Sequence, residues 1–267
     1  MDLSIIIVNY RSKVKTAKCL EAIFKSDLAN LKYEVIVVEN ASGENLDDLI
    51  GAQSELKVLY SSRNLGMGGG NNLGLKEARG QFILILNPDT EVYPKAIKIL
   101  YDYLDSHSDV YIVGPKLLNP DKTLQPSCSL FPKIYTPILR RTFLGDYFKS
   151  SRDGFMMTDF DHEEIREVDW LMGSCLLVRS DGWEGFDERF FMYFEDIDWS
   201  LRMWEAHWPV YYTHDIVLTH IHGKGSAKVP GVINALLKNK LARIHFKSWL
   251  QYMWKWRGNN KYYKIRP

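Results

Sequence analysis

The sequence predicts an α/β fold in which helices cover both faces of a mostly parallel β-sheet. Short apolar runs such as Leu3–Val8 and Phe82–Leu86 do not alternate with polar residues, which is typical of strands buried on both sides. Segments with helical character separate these runs, as crossover connections do in parallel sheets. The chain has 267 residues and can bury a large core. We therefore expect ligands to bind at the carboxyl ends of the strands.

Each predicted strand or helix corresponds to a separate segment of the sequence with a characteristic composition. The predicted strands are rich in β-branched and aliphatic residues, and they cover Leu3–Val8, Glu34–Val38, Leu56–Tyr60, Phe82–Leu86 and Asp215–Thr219. The predicted helices cover Val14–Phe24, Asn71–Ala78 and Trp199–Glu205. The stretch Asn119–Glu167 has no regular pattern, so its structure is not predicted.

The bulk properties are those of a soluble enzyme. The opening apolar run is too short for a membrane span or a signal peptide, and acidic Asp2 precedes it. We therefore expect a cytoplasmic protein. The three cysteines, Cys19, Cys128 and Cys175, are far apart and lack the spacing of metal ligands. They are expected to be ordinary buried residues, without a disulfide or a zinc site.

The end of the chain differs in charge from the rest. Residues 224–267 carry eleven Lys and Arg and no Asp or Glu, whereas residues 1–223 carry 23 basic and 33 acidic residues. The tail also has an apolar stripe with roughly helical spacing, formed by Leu237, Leu241, Ile244, Trp249 and Tyr252. This pattern fits either a helix packed on the core or contact of residues 230–267 with an anionic membrane. No nucleic-acid-binding module surrounds the tail, so nucleic acid is not an expected partner.

Polar residues follow three of the predicted strand ends. These residues are Asn9-Tyr10-Arg11, Glu39-Asn40-Ala41-Ser42 and Asn87-Pro88-Asp89. A base or ribose needs directional donors and acceptors, and a diphosphate needs cations or a metal held by oxygen ligands. Asp89 is the natural metal ligand of the set. Asx residues also favour turns at strand ends, but three such turns at one sheet edge favour a nucleotide site.

A glycine-rich segment, Arg63–Asn72, is predicted to be a loop between a strand and a helix. Its four glycines would let a ligand approach the backbone closely. The spacing matches neither the dinucleotide fingerprint nor the P-loop, which argues against a dehydrogenase or a P-loop NTPase. A surface turn is the alternative.

Three acids, Glu195, Asp196 and Asp198, directly follow the apolar run Phe190–Phe194. Burial and mutual repulsion both raise the pKa of a carboxyl group, so one of these acids is a candidate general base. The alternative is that Asp196 or Asp198 caps the following helix, with Asp198 also pairing with Arg202.

Seven parts of the chain, spread over most of its length, carry a family resemblance. They are Ser4–Tyr10, Val37–Ser42, Asn64–Asn72, Leu86–Thr90, Asp169–Ser174, Gly185–Asp198 and His220. In this order and spacing they resemble the family 2 glycosyltransferases of the GT-A fold, and within them a bacterial rhamnosyltransferase-like branch. The resemblance implies a Rossmann-type sheet that binds a nucleoside-diphosphate sugar, with dTDP or UDP as the nucleotide.

The resemblance also implies contacts with the donor. These implied contacts are Asn9, Tyr10, Arg11, Glu39, Asn64, Gly66, Asn72, Asn87, Pro88 and Asp89. Asn87 and Glu39 stand where the family usually has Asp. The change at 87 affects the metal or ribose contact, and the change at 39 affects the base or ribose contact.

A divalent metal, Mn²⁺ or Mg²⁺, is implied as the cofactor. Asp89 matches the family's Asp-x-Asp metal position, and His220 matches a late histidine that completes the metal shell. His222 is a nearby alternative to His220. The loop Gly223–Pro230 is expected to be either a lid over the diphosphate or a linker to the tail.

Asp196 matches the family's catalytic base, which removes a proton from an acceptor hydroxyl during a single, inverting displacement. Glu195 and Asp198 are expected to tune Asp196 or to bind acceptor hydroxyls. Trp170 and Tyr193 offer flat faces for acceptor sugar rings, or else belong to the core.

The predicted organisation is one GT-A catalytic domain over 1–223, followed by a basic aromatic helical extension over 224–267. Within the domain, 1–115 is expected to bind the nucleotide sugar and 116–223 to supply the acceptor site and the base. The predicted function is an inverting, hexosyltransferase-type enzyme that moves a sugar, with rhamnose as the candidate, to a cell-surface glycan or lipid-linked acceptor. Such an enzyme would serve cell-wall or polysaccharide biosynthesis as a peripheral protein at the inner membrane face. The alternatives are a nucleotidyltransferase and a non-catalytic sugar-binding relative.

Overall fold

The computed structural model of the protein describes residues 1–28, 30–51, 53–140, 144–181, 184–221, 229 and 232–258. The elements, in chain order, are β1 (Leu3–Asn9), α1 (Lys13–Phe24), β2 (Tyr33–Glu39), β3 (Leu56–Tyr60), α2 (Gly66–Leu75), β4 (Phe82–Leu86), β5 (Thr90–Glu91), α3 (Ala96–Ser106), β6 (Ile112–Leu118), β7 (Leu124–Gln125), β8 (Cys128–Ser129), α4 (Thr136–Leu139), α5 (Leu144–Tyr147), α6 (Lys149–Met156), β9 (Arg166–Glu167), β10 (Trp170–Leu171), β11 (Cys175–Arg179), α7 (Glu195–Glu205), β12 (Val210–His220), α8 (Val232–Lys238) and α9 (Lys240–Lys255).

The main sheet has the strand order β3-β2-β1-β4-β11-β6-β12-β5. Strands β1 to β4 pair in parallel, as do β6 and β12. Strand β11 is antiparallel to both of its neighbours, β4 and β6. The prediction of a mostly parallel sheet is confirmed, and the short strands β5, β7 and β9 also pair antiparallel with their neighbours.

Both faces of the sheet are covered, as the non-alternating strands predict. Ile5 and Leu84 face one hydrophobic cluster, which α1 and α3 complete. Ile6 and Ile85 face a second cluster, which includes Trp199 of α7. Successive residues of β1 and β4 thus bury their side chains on opposite faces, and all of them except Ser4 and Asn9 are apolar for this reason.

The glycine-rich segment is a helix rather than a loop, so the predicted helix start at Asn71 is wrong. Helix α2 begins at Gly66. A Cβ atom at Gly74 would lie 2.6 Å from a methyl group of Ile6 on β1. Glycine therefore lets α2 lie directly against β1, and this close packing offsets the low helix propensity of the run.

Two other predicted boundaries also change. Helix α7 begins at Glu195 rather than Trp199, and Phe194, with φ of 69°, precedes it. Asp196 and Asp198 therefore lie in the first turn of α7, not at a capping position. Strand β12 begins at Val210 rather than Asp215, and ends at His220.

The tail forms α8 and α9. Trp249 and Tyr252 of α9 are buried in a cluster with Phe190 and Phe194, next to the start of α7. Part of the aromatic stripe therefore belongs to the core, whereas Leu237 is 71% exposed. No helix among the residues that the structure describes is long and apolar enough to span a membrane.

The three cysteines are buried and free, as predicted. Burial raises the pKa of the Cys19 and Cys128 thiols to about 12, so both are protonated.

Candidate active site

A cleft of about 460 Å³ opens at the carboxyl ends of β1 and β4. Its lining includes most of the predicted β1 and β4 turn residues, together with Lys15 of α1 and two methionines: Tyr10, Arg11, Asn87, Pro88, Asp89, Lys15, Met67 and Met192. Tyr10 is 42% exposed, and the Arg11 guanidinium stacks on its ring. The cleft thus combines cations, an aromatic ring and a carboxylate, a set of groups suited to a nucleotide and its phosphates.

The predicted metal ligands Asp89 and His220 lie side by side. Strand β5 pairs antiparallel with the end of β12, and this brings Nε2 of His220 to 3.3 Å from Oδ1 of Asp89. Lys15 approaches the other oxygen of Asp89, also at 3.3 Å. Burial acts to raise the pKa of Asp89, but the neighbouring His220 and Lys15 lower it overall. Asp89 is therefore an anion at neutral pH.

These two side chains form a partial metal site. Within the described residues no group of three or more potential ligands occurs. A carboxylate and an imidazole nevertheless fit Mg²⁺ or Mn²⁺, which commonly take one or two protein groups and complete their shell with substrate phosphates and water. His222, the predicted alternative ligand, and residues 223–228 and 230 of the predicted lid lie outside the described residues.

The turn between β1 and α1 is already closed by a carboxylate that sequence reasoning missed. Glu44 accepts hydrogen bonds from the backbone N–H groups of Ser12 and Lys13 and from the Asn9 amide, at 2.9 to 3.4 Å. The Asn9 hydrogen bond and these backbone bonds lower the pKa of Glu44. An anion thus occupies the N-terminus of α1, where a phosphate would otherwise bind.

Several predicted donor contacts are instead engaged in holding the fold together. Asn9 is fully buried and bonds to Glu44 and Thr16. Glu39 is buried and accepts bonds from the backbone and hydroxyl of Ser42. In this structure Asn9 and Glu39 support the strand-end turns, and their contact with a donor stays a prediction.

The predicted contacts in and just before α2 also form hydrogen bonds or packing contacts within the protein. Asn64 accepts a bond from the backbone of Gly66, at 2.9 Å. Asn72 exchanges two hydrogen bonds of 2.8 Å with the backbone of Phe186. Gly66 lies under Phe191, whose carbonyl oxygen would be 1.9 Å from a Cβ atom at position 66. Gly66 and Asn72 thus attach α2 to the segment that leads to the acid cluster, whereas Asn64 stabilises the turn before α2.

The predicted base, Asp196, lies in the first turn of α7. Its two carboxylate oxygens accept backbone N–H bonds from Gly173, at 3.1 Å, and Ile197, at 2.9 Å. Burial raises the pKa of Asp196, although these backbone bonds oppose the shift. Burial and the charge of Asp196 also raise the pKa of Glu195 well above its usual value. Among the described residues, neither acid forms an ion pair, and one oxygen of Glu195 is buried without a hydrogen-bond partner.

A short backbone bridge connects Asp196 to the cleft. Gly173 donates to Asp196, and the next residue, Ser174, accepts a bond of 2.9 Å from the backbone of Asn87. Met192, four residues before Asp196, lines the cleft beside Asp89. Asp196 is thus connected through the backbone to the turn that carries Asp89, but neither Asp196 nor Glu195 is a lining residue of the cleft itself.

Asp198, predicted to bind the acceptor, has a structural environment instead. Its side chain is 0% exposed, and it pairs with Arg202 at 3.2 Å and Lys255 at 2.7 Å. The indole of Trp256 donates a further bond of 2.8 Å. Because three donors surround its carboxylate, Asp198 attaches α9 to α7 and is not available to a substrate.

The predicted acceptor aromatics are partly exposed and lie against the core. Trp170 donates its indole N–H to the carbonyl of Leu130, at 2.8 Å. The ring of Tyr193 lies 5.0 Å from that of His245 on α9. Both residues also contact the buried cluster around Phe194. Each therefore contributes to packing, and each retains an exposed part.

The comparisons with known proteins define the class. Residues 4–165 match the family model of glycosyl transferase family 2, which covers more than half of the chain. The chain belongs to this family.

Particular relatives agree with the family model. The chain is 31% identical to the low-salt glycan biosynthesis hexosyltransferase Agl10 of Haloferax volcanii, over 75% of this chain and 61% of that protein. It is 27% identical to an N-acetylglucosaminyl-diphospho-decaprenol L-rhamnosyltransferase of Mycobacterium tuberculosis, over 73% of this chain and 69% of that protein. The chain thus spans about three fifths of the length of the hexosyltransferase.

The fold resembles that of a solved glycosyltransferase structure. GalNAc-T7, crystallised with UDP, GalNAc and Mn²⁺, superposes with a TM-score of 0.62 at 12% identity, over 83% of this chain and 44% of that chain. At this identity the similarity concerns the fold alone. It confirms the predicted α/β, GT-A architecture.

Proposed function

We propose that the chain is a metal-dependent inverting glycosyltransferase of the hexosyltransferase type, with Asp196 as its general base. The observation that carries this proposal is the state of the Asp196 carboxylate. It is half-buried and forms no ion pair with a cation of the described residues, and two backbone hydrogen bonds connect it to the turn that carries Asp89.

The chemistry required of Asp196 is the removal of one proton. As the acceptor oxygen forms its bond to the anomeric carbon, its proton passes to Asp196, and the bond from that carbon to the diphosphate breaks. A single displacement of this kind inverts the anomeric configuration. Because the pKa of Asp196 is raised towards neutrality, the carboxylate is a stronger base than an exposed aspartate. Burial and the adjacent Asp196 charge raise the pKa of Glu195 well above its usual value, so the pair favours holding its negative charge on Asp196.

Asp89 and His220 would hold the divalent cation, whose charge would stabilise the departing diphosphate when it is bound. Arg11 and Lys15 line the same cleft and would supply further positive charge to the phosphates. Tyr10, exposed at the mouth of the cleft, would stack on the base.

For the donor, we propose a dTDP-linked or UDP-linked sugar, with rhamnose as the candidate. The name of the mycobacterial relative supports rhamnose and a lipid-linked acceptor. By this proposal, the enzyme extends a cell-surface glycan, and Trp170 and Tyr193 offer their exposed parts to acceptor sugar rings.

We also propose that the enzyme contacts the inner face of the membrane through the outer surface of α9. Three apolar side chains spaced four residues apart, Phe246, Leu250 and Trp254, form an exposed ridge on this helix. The exposed cations on the same face are Arg243, Lys247 and Arg257. A ridge of this kind flanked by cations suits the headgroup layer of an anionic membrane.

Vesicle flotation tests this contact. The protein should float with vesicles of phosphatidylglycerol and phosphatidylcholine but not with phosphatidylcholine alone, and a triple variant with serine at 246, 250 and 254 should not float. Ile99→Ser, at another exposed apolar position, is the control. Equal flotation of the triple variant and the control would contradict the proposed surface.

The rival functions are less well supported. A nucleotidyltransferase would bind phosphates at the turn after β1, but Glu44 occupies the backbone N–H groups there. A non-catalytic relative would not need two adjacent, half-buried carboxyl groups without an ion pair, which are costly to maintain.

Nucleotide binding tests the proposed donor site. Calorimetric titrations with UDP, dTDP, GDP and CDP, each with and without Mn²⁺, should show metal-dependent binding of one or two of them. Asp89→Ala should lose the metal dependence, whereas Asp102→Ala, on the exposed side of α3, should retain it. Absence of binding for all four nucleotides would contradict the proposal.

A further inference from the structure

The imidazole of His220 has a specific partner on the side away from Asp89. Its Nδ1 lies 2.7 Å from Oε1 of Gln125, and both side chains are almost completely buried. Gln125 is 95 residues away in sequence, in the short strand β7 that pairs with β6. Neither its sequence surroundings nor its residue type indicates a role.

The orientation of the Gln125 amide follows from the groups around it. Its nitrogen lies 3.2 Å from the backbone carbonyl of His220 and 2.9 Å from Oδ1 of Asn119. The Asn119 amide is oriented in turn by the backbone carbonyl of Leu124, which accepts a bond from its nitrogen. Because carbonyl oxygens only accept hydrogen bonds, both amide nitrogens must face them. Oε1 of Gln125 therefore faces His220.

This orientation determines the tautomer of His220. An amide oxygen cannot donate, so Nδ1 must carry the proton and donate it to Gln125. In the neutral imidazole, Nε2 then has a lone pair, and this atom is the one 3.3 Å from Asp89. Metal-binding histidines commonly donate their other ring N–H in this way, which orients the ring and makes it a better ligand.

We infer that Gln125 is a positioning residue. It holds His220 in the tautomer with the proton on Nδ1, so that the lone pair of Nε2 faces the divalent cation. The inference rests on the proposed function, because that proposal assigns Asp89 and His220 to the metal. Gln125 does not touch the reacting atoms, and its effect passes through His220.

The tautomer can be measured without metal, nucleotide or turnover. Long-range ¹H–¹⁵N NMR of the full chain, at a pH where His220 is neutral, should show a proton on Nδ1. In Gln125→Met the side-chain length is kept but the acceptor is lost, so the proton should shift towards Nε2, where Asp89 can accept it. A proton on Nε2 in the wild-type protein would overturn the inference.

Metal affinity gives the second readout. In titrations with Mn²⁺ and the nucleotide that binds, followed by electron paramagnetic resonance, Gln125→Met should weaken Mn²⁺ binding by about 10- to 100-fold. Gln81→Met, at an exposed position, should bind Mn²⁺ like the wild type.

Two reference variants separate the possible failures. If His220→Ala and Asp89→Ala bind Mn²⁺ as the wild type does, the metal site of the proposed function is wrong. If both lose Mn²⁺ but Gln125→Met keeps wild-type affinity, the metal site stands and the role of Gln125 is wrong.

Discussion

From the ion pair between Lys255 and Asp198 we predict that α9 is required for the stability of α7. Lys255 lies 2.7 Å from Oδ1 of Asp198 and 2.8 Å from Oδ2 of Asp187. Burial acts to raise the pKa of Asp187, but the bonds from Arg189 and Lys255 hold it well below its usual value. Lys255→Met therefore removes one positive charge that two carboxylates share.

The expected loss follows from the burial of Asp198. Removing one partner of a buried ion pair costs about 3 to 5 kcal/mol. Arg202, at 3.2 Å, still compensates part of the Asp198 charge, so we expect the lower end of this range, about 3 kcal/mol. For a chain of this size, such a loss lowers Tm by roughly 6 to 12 °C.

Thermal and urea unfolding of Lys255→Met measure this loss. Lys247→Met, at an exposed position of the same helix, is the matched control and should change stability by less than about 0.5 kcal/mol. Combining Lys255→Met with Asp198→Asn should cost less than the sum of the single changes, because the second removes the charge that the first leaves uncompensated. Equal stability of Lys255→Met and Lys247→Met would refute this reasoning.

Further predictions concern α2 and the acid pair. Gly66→Ala should destabilise the protein strongly in urea unfolding, since its Cβ would lie 1.9 Å from the Phe191 carbonyl oxygen; Gly43→Ala, with a similar φ but open space, should cost only about 1 to 2 kcal/mol. Equal losses for these two variants would contradict the packing argument. Glu195→Gln should raise the free energy of unfolding at neutral pH, as measured in urea. The folded state raises the pKa of Glu195, so the unfolded chain loses this proton first, and wild-type stability falls as pH rises above about 4.3. A variant no more stable than the wild type at neutral pH would count against a raised pKa. For turnover, kcat/KM should decline on the acid side at a pH above the usual aspartate value of about 3.9, as Asp196 takes up a proton; a decline only below that pH would argue against Asp196 as the base.

Much of the fold could be predicted from the sequence because it depends on local patterns. Strands β3 and β4 have the predicted boundaries, since an apolar run bounded by polar residues defines a buried strand directly. The prediction of a loop over Arg63–Asn72 is wrong because glycine by itself favours loops over helices. Contact with Ile6, which only the folded sheet provides, makes the run a helix.

The candidate site could be predicted in part. Asp89 is predictable as a carboxylate that follows a strand, whereas the metal role of His220 comes from the family resemblance; the structure brings the two side chains to 3.3 Å. Glu44, Lys15 and Gln125 were missed, since their roles depend on partners 32 to 95 residues away. The sequence predicts an acceptor-binding role for Asp198 because it lies beside the predicted base. Its actual partner, Lys255, comes from the tail and cannot be identified from the local sequence.

The most direct test of the account is the comparison of Asp196→Asn with the wild type in donor binding and in turnover. The variant keeps the shape of the side chain but cannot take a proton from the acceptor. We expect metal-dependent nucleotide binding within about threefold of the wild type and turnover lower by about 10²- to 10⁴-fold. Turnover by Asp196→Asn close to the wild-type rate, with donor binding intact, would contradict the assignment of Asp196 as the base.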